Sequence, residues 1–580
     1  MITDYYHDPA IDTTLTSHHE LDIRLKLPRG ASDVQLMAWN KARRQEASIE
    51  QYRMYRWAES EGYAFYRFIW TSMEPRVRYL QYIFKFTVGG REQWLTANGL
   101  FEQEPTGGRF EFPYAGDRDA VHQPSWIRDR VWYQIFPERF RNGDTTNDPV
   151  GTEAWGAAPT RDNYMGGDLQ GIIQQLAYLK ELGINAIYLN PIFQATSNHK
   201  YDTIDYFKID SQFGTIDDLK ELTERCHQLG MKVVLDLVIN HCGYNHPYFQ
   251  DIVEKGENSP YRDWFYVHEF PVSLSDSKYD SVWYFQYMPK WKTSNPQVKQ
   301  FVFDLVSFWQ SETGIDGWRI DVADEVEVNF LRELNIHVKK INNNAIIISE
   351  IWHDAKTLMM SGGTDSVMNY DLRSILLDYV VDRSIDIERF HARLVRYVNR
   401  YSAVELDQMF NLLGSHDTER IFSRCGERLD VLRLLIAWQY MMPGNPVVYY
   451  GDEYGLPGEN DPGCRACMPW EIDYANHPLW NYIRQWNRLK TSEAALQQGH
   501  IELLCSSDEV LYGVKRSVGA DRVLLIVNFS GEDKEYSDAL SCFGMDSERL
   551  EEIKLFDREV EDQPVNQLKA NGFVLLRSRS

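Results

Sequence analysis

The chain holds 580 residues, 43% hydrophobic and 25% charged, enough to bury several cores without help from disulfides. Asp and Glu number 85 against 61 Lys and Arg, a net charge of −24. That balance argues against nucleic acid as a partner, because phosphate neutralisation needs a basic face. The opening residues carry no basic segment followed by an apolar run, and no stretch approaches the roughly 18–20 apolar residues of a bilayer span. A cytoplasmic protein with no membrane partner is the expectation. Seventeen Trp and 34 Tyr lean toward a neutral ligand with flat faces. The cysteines (Cys226, Cys242, Cys425, Cys464, Cys467, Cys505, Cys542) are an odd, scattered set that reads as reduced thiols. Cys464 and Cys467 have CxxC spacing, but no second pair completes a zinc site.

Residues 1–121 alternate polar and apolar, as in Leu21–Leu27, Tyr63–Trp70 and Tyr79–Phe86. Such period-two runs between turn residues predict an amino-terminal β-sandwich. Between 122 and 499 short apolar runs alternate with amphipathic stretches, the rhythm of an α/β protein with a (β/α)8 TIM barrel. The predicted barrel strands are Val131–Pro137, Ile184–Pro191, Lys232–His241, Ile315–Ala323, Ala345–Trp352, Val367–Leu372, Met409–Asp417 and Pro446–Glu453. Helices are predicted over Asp168–Gly183 and Thr215–Gly230, each ending on a glycine. The gap after the third strand is long and rich in Tyr, Trp, Pro and Asp, and predicts an inserted subdomain at about 242–294. From 500 to 580 strands return, including Val510–Lys515 and Val523–Asn528, implying a carboxy-terminal β-domain.

Barrel chemistry sits where strands run out at the carboxy-terminal face. The third predicted strand ends in Asn240-His241, the fourth carries Arg319 and Asp321, the fifth ends in Glu350 and Trp352, and the seventh ends in His416-Asp417. Any one of these could be a helix cap or a surface ion pair. Four strand ends placing costly ionisable groups on one rim point instead to a site. Paired carboxylates suit glycoside cleavage, one as nucleophile and one as proton donor. Arg319 lies two residues before Asp321 and so shares its face of the strand, which predicts an ionised Asp321. Glu350 follows Ile346, Ile347 and Ile348 with no adjacent cation, and apolar surroundings favour a protonated acid.

The strand-end segments, in this order, resemble the signature regions of the α-amylase family, within it the cyclomaltodextrinase, neopullulanase and maltogenic amylase group. Val131–Phe140, Gly166–Gly171, Ser197–Thr203, Glu350–Asp354 and Asn460–Arg465 carry the likeness further. The resemblance implies a retaining hydrolase of cyclodextrins, maltooligosaccharides and related α-glucans, with Asp321 as nucleophile, Glu350 as acid-base and Asp417 as transition-state stabiliser. It implies sugar contacts from His241, Arg319, His416, Tyr201, Trp352, Asp461 and Arg465. Core packing for the two aromatics and a plain loop ion pair for Asp461 with Arg465 stay open. It also implies transglycosylation and a homodimer in which the amino-terminal domain of one copy covers the cleft of the other.

Asn142, Asp144, Asn147 and Asp148, with Gly166 and Asp168, offer hard oxygen ligands in a turn-rich segment, which suits Ca2+ in a structural role. They resemble the family's calcium site; a solvated acidic loop is the alternative. The chain departs from its group at Met288–Trp291, at Asp324 where relatives commonly carry Asn, and within Asp236–Asn240. None of these touches the three carboxylates, so the reaction class stands while linkage and product preference stay open. A glucanotransferase is the same-class alternative and a non-catalytic sugar-binding scaffold the different-class one. No G-x-S-x-G elbow or H-E-x-x-H segment supports serine or metalloprotease chemistry.

Overall fold

A computed structural model describes residues 5–43, 49–116, 119–275, 278–505, 510–537, 540, 545, 550–555, 567–570 and 572–578. Eight parallel strands form the central sheet: Trp132–Ile135, Ala186–Leu189, Lys232–Leu237, Gly317–Ile320, Ile346–Ser349, Ser366–Val367, Phe410–Leu412 and Asn445–Tyr449. Each neighbours the next, the eighth pairs with the first, and a parallel bridge between Met368 and Phe410 closes the ring. Every strand is buried on both faces, as a barrel wrapped by helices requires. Tyr188, Val234, Ile346, Ile348, Phe410 and Val447 fill the interior. Among the described residues no helix is long and apolar enough to cross a membrane.

Three of the strand and helix expectations shift for local reasons. The sixth strand is two residues long rather than reaching Leu372. The Asn369 side chain accepts from the Leu372 amide and starts a helix at Tyr370, which ends the extended run. The helix expected over Asp168–Gly183 is broken at Gln175 into Leu169–Gln174 and Leu176–Leu182, and stops at Gly183 with φ 93°. Thr215 and Asp218 form a capping box for Ile216–Gln228, and Gly230 lies just beyond its end.

The long connection after the third strand folds into a small unit around the helix Pro247–Lys255. Buried Phe249, Phe265, Tyr279 and Trp291 make its core, and bridges such as His241 to Lys290 tie it to the barrel rim. Ahead of the barrel, two antiparallel sheets share one core that includes Leu21, Ile23, Leu36, Tyr82 and Phe84. The predicted strands appear there as Glu20–Pro28, Tyr63–Thr71 and Arg78–Val88. Behind the barrel, His500–Cys505, Leu511–Val518, Asp521–Asn528 and Phe573–Ser578 form most of a further antiparallel sheet. His391, on a barrel helix, reaches both flanking domains: one ring nitrogen lies 2.6 Å from the Glu59 carbonyl and the other 2.6 Å from the Tyr512 hydroxyl. Cys226, Cys242, Cys425, Cys464 and Cys467 are buried free thiols; Cys542 and the Cys505 side chain lie outside the described residues.

Candidate active site

Parallel register sets Arg319 of the fourth strand beside Asp236 of the third. Both side chains are fully buried. One Arg319 amino nitrogen lies 3.0 Å from both Asp236 oxygens and 2.7 Å from Asp321 Oδ1. The other lies 2.8 Å from Glu350 Oε2. This corrects the expectation that Arg319 serves Asp321 alone while Glu350 sits among apolar groups. The isoleucines belong to the strand body, whereas Glu350 follows the last paired residue and its carboxylate meets the guanidinium at the rim. Glu350 also accepts from the Val322 amide at 2.9 Å and from Trp352 Nε1 at 3.1 Å. Val322 holds φ 44°, a strained state for a β-branched residue, and in that state its amide reaches Glu350.

A second polar group faces the first. His416 Nε2 lies 2.9 Å from Asp417 Oδ2 and 2.6 Å from the Tyr201 hydroxyl, while Gln134 Nε2 lies 2.8 Å from its Nδ1. Tyr201 donates to Asp236 Oδ2 at 2.9 Å, so one hydrogen-bonded chain joins the His416–Asp417 end to the Arg319 end. Arg465 lies 3.3 Å from Asp417 and 3.0 Å from Asp461. Trp352 is half exposed and lies flat on Tyr370, the ring centres 3.8 Å apart.

Besides Arg319 Nη2, which has only its ion pair to Glu350, and Gln134 Oε1, three buried atoms at the centre make no hydrogen bond: Asp321 Oδ2 and both ring nitrogens of His241. They stand 3.9 Å apart at their closest, His241 Nε2 to Asp321 Oδ2. Buried polar atoms are normally satisfied, so a group of three marks the place of a polar ligand. Burial drives the His241 ring down to about 3, with His199 and Lys290 adding to the effect, so it is neutral near pH 7. Contrary to the expectation that Arg319 lowers it, burial, reinforced by Glu350, Asp236 and Asp417 and only partly opposed by Arg319, pushes the Asp321 carboxyl well above the usual range. Burial would raise Asp417 too, but His416, Arg465 and Arg319 outweigh it and hold that carboxyl below the usual range. Two carboxyls of one cleft are thereby driven in opposite directions.

Asp321, Glu350, Asp417, His241, Arg319, His416, Tyr201, Trp352, Asp461 and Arg465 thus lie in one connected set of contacts. Gln134, Tyr188, Asn190 and Asp236 belong to it as well, since Tyr188 donates to Asp236 at 2.6 Å and Asn190 to Tyr201 at 2.9 Å. A polar residue inside an otherwise apolar strand was their only signal in the sequence. In the loop after the first strand, Asn142 donates to Asp148 at 2.7 Å, and the carbonyl oxygens of Asn142 and Asn147 are buried without partners. At Gly166 a Cβ would stand 2.3 Å from Asp148 and 2.4 Å from Asn142, so only glycine lets these groups close together. The Asp168 carboxylate takes the amides of Gly143, Asp144 and Gly171, and Asp144 caps the turn at Thr146. Among the described residues no three His, Cys, Asp or Glu side chains form a metal cluster; this loop offers amide oxygens beside carboxylates.

Residues 134–502 match the alpha-amylase family, described as "Alpha amylase, catalytic domain". A cyclomaltodextrinase of Geobacillus thermopakistaniensis is 40% identical over 87% of this chain and 86% of that protein. A maltogenic alpha-amylase of Bacillus acidopullulyticus is 40% identical over 87% of each. A solved structure titled "Cyclomaltodextrinase" superposes over 100% of both chains with a TM-score of 0.88 at 34% identity.

A carboxyl pushed up by burial destabilises the fold wherever it must ionise. Asp321→Asn, which cannot ionise, is expected to raise Tm at pH 7 by about 1–2 °C, the span that roughly 1 kcal/mol covers in a domain larger than about 250 residues. The gain should shrink as pH falls toward the unfolded carboxyl pKa of about 4. Thermal unfolding of both proteins between pH 4 and 8 checks it, and a variant less stable than the parent at pH 7 contradicts the upward shift of Asp321.

Proposed function

This chain belongs to the α-amylase family and is a glycoside hydrolase of α-glucans, and from that premise we propose that it opens cyclodextrins and shortens maltooligosaccharides by a retaining double displacement, with some transfer to sugar acceptors. One observation carries the reading: Asp321 and Glu350 bind the two amino nitrogens of a single guanidinium, while Asp321 keeps one oxygen unpartnered. Sharing one guanidinium puts both carboxylates on the same side of the cleft, which supports a retaining reaction, whose two carboxyls stand about 5–5.5 Å apart.

Asp321 Oδ2 attacks the anomeric carbon as the glycosidic C–O bond breaks, and Glu350 gives its proton to the departing oxygen. Water then attacks the same carbon, giving its proton to Glu350 as the bond to Asp321 breaks, which frees Asp321 and releases the sugar. The unpartnered His241 nitrogens and the low-pKa Asp417 take hydroxyls of the same sugar, and Tyr201 lies beneath it. His416 orients Asp417, Trp352 walls the leaving-group side, and Arg465 with Asp461 extends the contacts. Replacing the nucleophile is expected to cost at least about 10⁴-fold in kcat, as loss of a covalent nucleophile does in other enzymes. Asp321→Asn should still bind a maltooligosaccharide by calorimetry; parental turnover in a pure sample would remove Asp321 from that role.

Exposed Trp283, Tyr284, Phe285 and Tyr287 on the inserted unit support a second copy seated beside the cleft, its amino-terminal sandwich narrowing the entrance. A homodimer of this kind favours small rings over polymers. Initial rates on cyclodextrin should exceed those on soluble starch; faster starch hydrolysis rejects the lid. The same panel, extended to pullulan, reports α-1,4 against α-1,6 cleavage and transfer against hydrolysis. Five buried free thiols support a reducing, cytoplasmic setting.

We further assign structural Ca2+ to the Asn142–Asp148 loop. The buried, unpartnered Asn142 and Asn147 oxygens and the close approach allowed by Gly166 fit a hard cation with oxygen ligands, and Asp148 and Asp168 supply charge. Bound calcium would neutralise this loop and fix its turns. CaCl2 added after chelation should raise Tm for the parent and leave Asn147→Ala unmoved; an equal response from both removes the loop as the site.

A further inference from the structure

Glu350 is held at a rim loop whose far end is anchored away from the cleft. Beyond Trp352 the chain turns inward at Ala355 and Lys356, which are buried although His353 and Asp354 are exposed. The Ala355 amide lies 3.3 Å from the Tyr401 hydroxyl. Lys356 Nζ lies 3.0 and 2.8 Å from the two oxygens of Glu405. Arg400 adds a partner at Asp354, 3.2 Å away. Residues 400–405 therefore grip the loop at three consecutive positions.

That gripping segment is in turn held by the amino-terminal sandwich. Arg67 donates to the Tyr401 carbonyl at 2.8 Å, and the Ala403 amide donates to Asp22 at 3.2 Å. Arg67 and Asp22 pair with each other at 3.3 Å, and Arg24 stands 3.8 Å from Asp22. All three side chains are buried or nearly so. Glu405 has a second duty: with Ser402 it closes a capping box over the helix Ala403–Asp407. A surface contact between two domains could slide; a buried ion pair cannot shift without leaving a charge unpaired.

We propose that the amino-terminal sandwich positions the acid-base loop through a buried relay, from Asp22 and Arg67 to Tyr401, Ala403 and Glu405, and on to Ala355 and Lys356. Lys356 is the positioning residue at the loop end of the relay. It stands six residues from Glu350, and it acts by fixing where Trp352 and the Glu350 carboxylate stand against the leaving oxygen. The sandwich is then part of the catalytic apparatus of its own subunit. Catalytic loops are held to well under an ångström by such supporting contacts, and misplacement by about 1 Å can cost 10²-fold.

The inference rests on Glu350 as proton donor, and leaving-group dependence tests the two separately. An activated aryl glycoside needs little protonation of its leaving oxygen; a glucan needs it fully. The quantity compared is kcat/KM for 4-nitrophenyl α-maltoside and for a cyclodextrin, because it reports the bond-breaking step. Glu350→Gln should lose far more on cyclodextrin than on the aryl substrate; equal losses there overturn the acid assignment itself. Given that control, Lys356→Met combined with Glu405→Gln, which leaves no buried charge unpaired, is expected to lose about 10- to 100-fold on cyclodextrin and at most about 3-fold on the aryl maltoside. Arg67→Gln should show the same bias from the sandwich side. Lys356→Arg keeps the charge and should recover most of the cyclodextrin activity; if the double variant does not fold, the biased loss in Arg67→Gln carries the test. Equal losses on both substrates, or none, in the folded variants overturn the relay while leaving Glu350 in place.

Discussion

The site depends on one cation. Among the described residues Arg319 is the one positive group in contact with Asp236, Asp321 and Glu350 together, and all four side chains are buried or nearly so. Removing a carboxylate from water costs several kcal/mol unless a partner compensates, so three around one guanidinium are held at the limit of what a single charge offsets. The excess appears as the upward shift of Asp321. Its counterpart is Asp417, which has its own cationic partner in Arg465 and is pulled the other way. One cleft thus drives two of its carboxyls in opposite directions.

Other features of the rim follow from the need to hold these groups without filling the cleft. Val322 takes a left-handed conformation that costs about 1–2 kcal/mol for an ordinary residue, and its amide is thereby aimed at Glu350. Tyr201 spends its hydroxyl on Asp236 and His416. The His241 nitrogens and Asp321 Oδ2 are left bare. A barrel that satisfied those atoms internally would be more stable and would have nothing to offer a sugar, which is the usual exchange of stability for function.

The flanking domains are joined to this centre by buried polar contacts rather than by loose linkers. His391 touches both of them from one barrel helix, and Asp22 with Arg67 holds the segment that ends at Glu405. The inserted unit closes on the rim through Trp291, whose amide donates to the Asn240 carbonyl. The barrel supplies the buried carboxylates of the cleft, and the appended units touch the loops beside them.

Local sequence determined much of this molecule. Hydrophobic period separated the sandwich from the barrel, because its strands alternate in sequence and barrel strands do not; Leu21–Leu27 and Lys232–Leu237 show the contrast, although Asp22 and Arg24 are buried in the fold as well. Charged residues at the ends of apolar runs marked Asp321, Glu350 and Asp417, since burial of such groups needs a reason that local structure did not give. Sequence also misjudged what it could not see. The strand reading ran on to Leu372 because a helix cap at Asn369 looks like any polar residue. Glu350 looked isolated because its cation lies 31 positions away in the chain. Tertiary structure alone decided that pairing, along with the inward placement of Gln134, Tyr188 and Asp236 and the path from Arg67 to Lys356. Neighbours along a chain fix conformation, but electrostatic partners are chosen by strand register and loop closure, and those exist only once the barrel has formed.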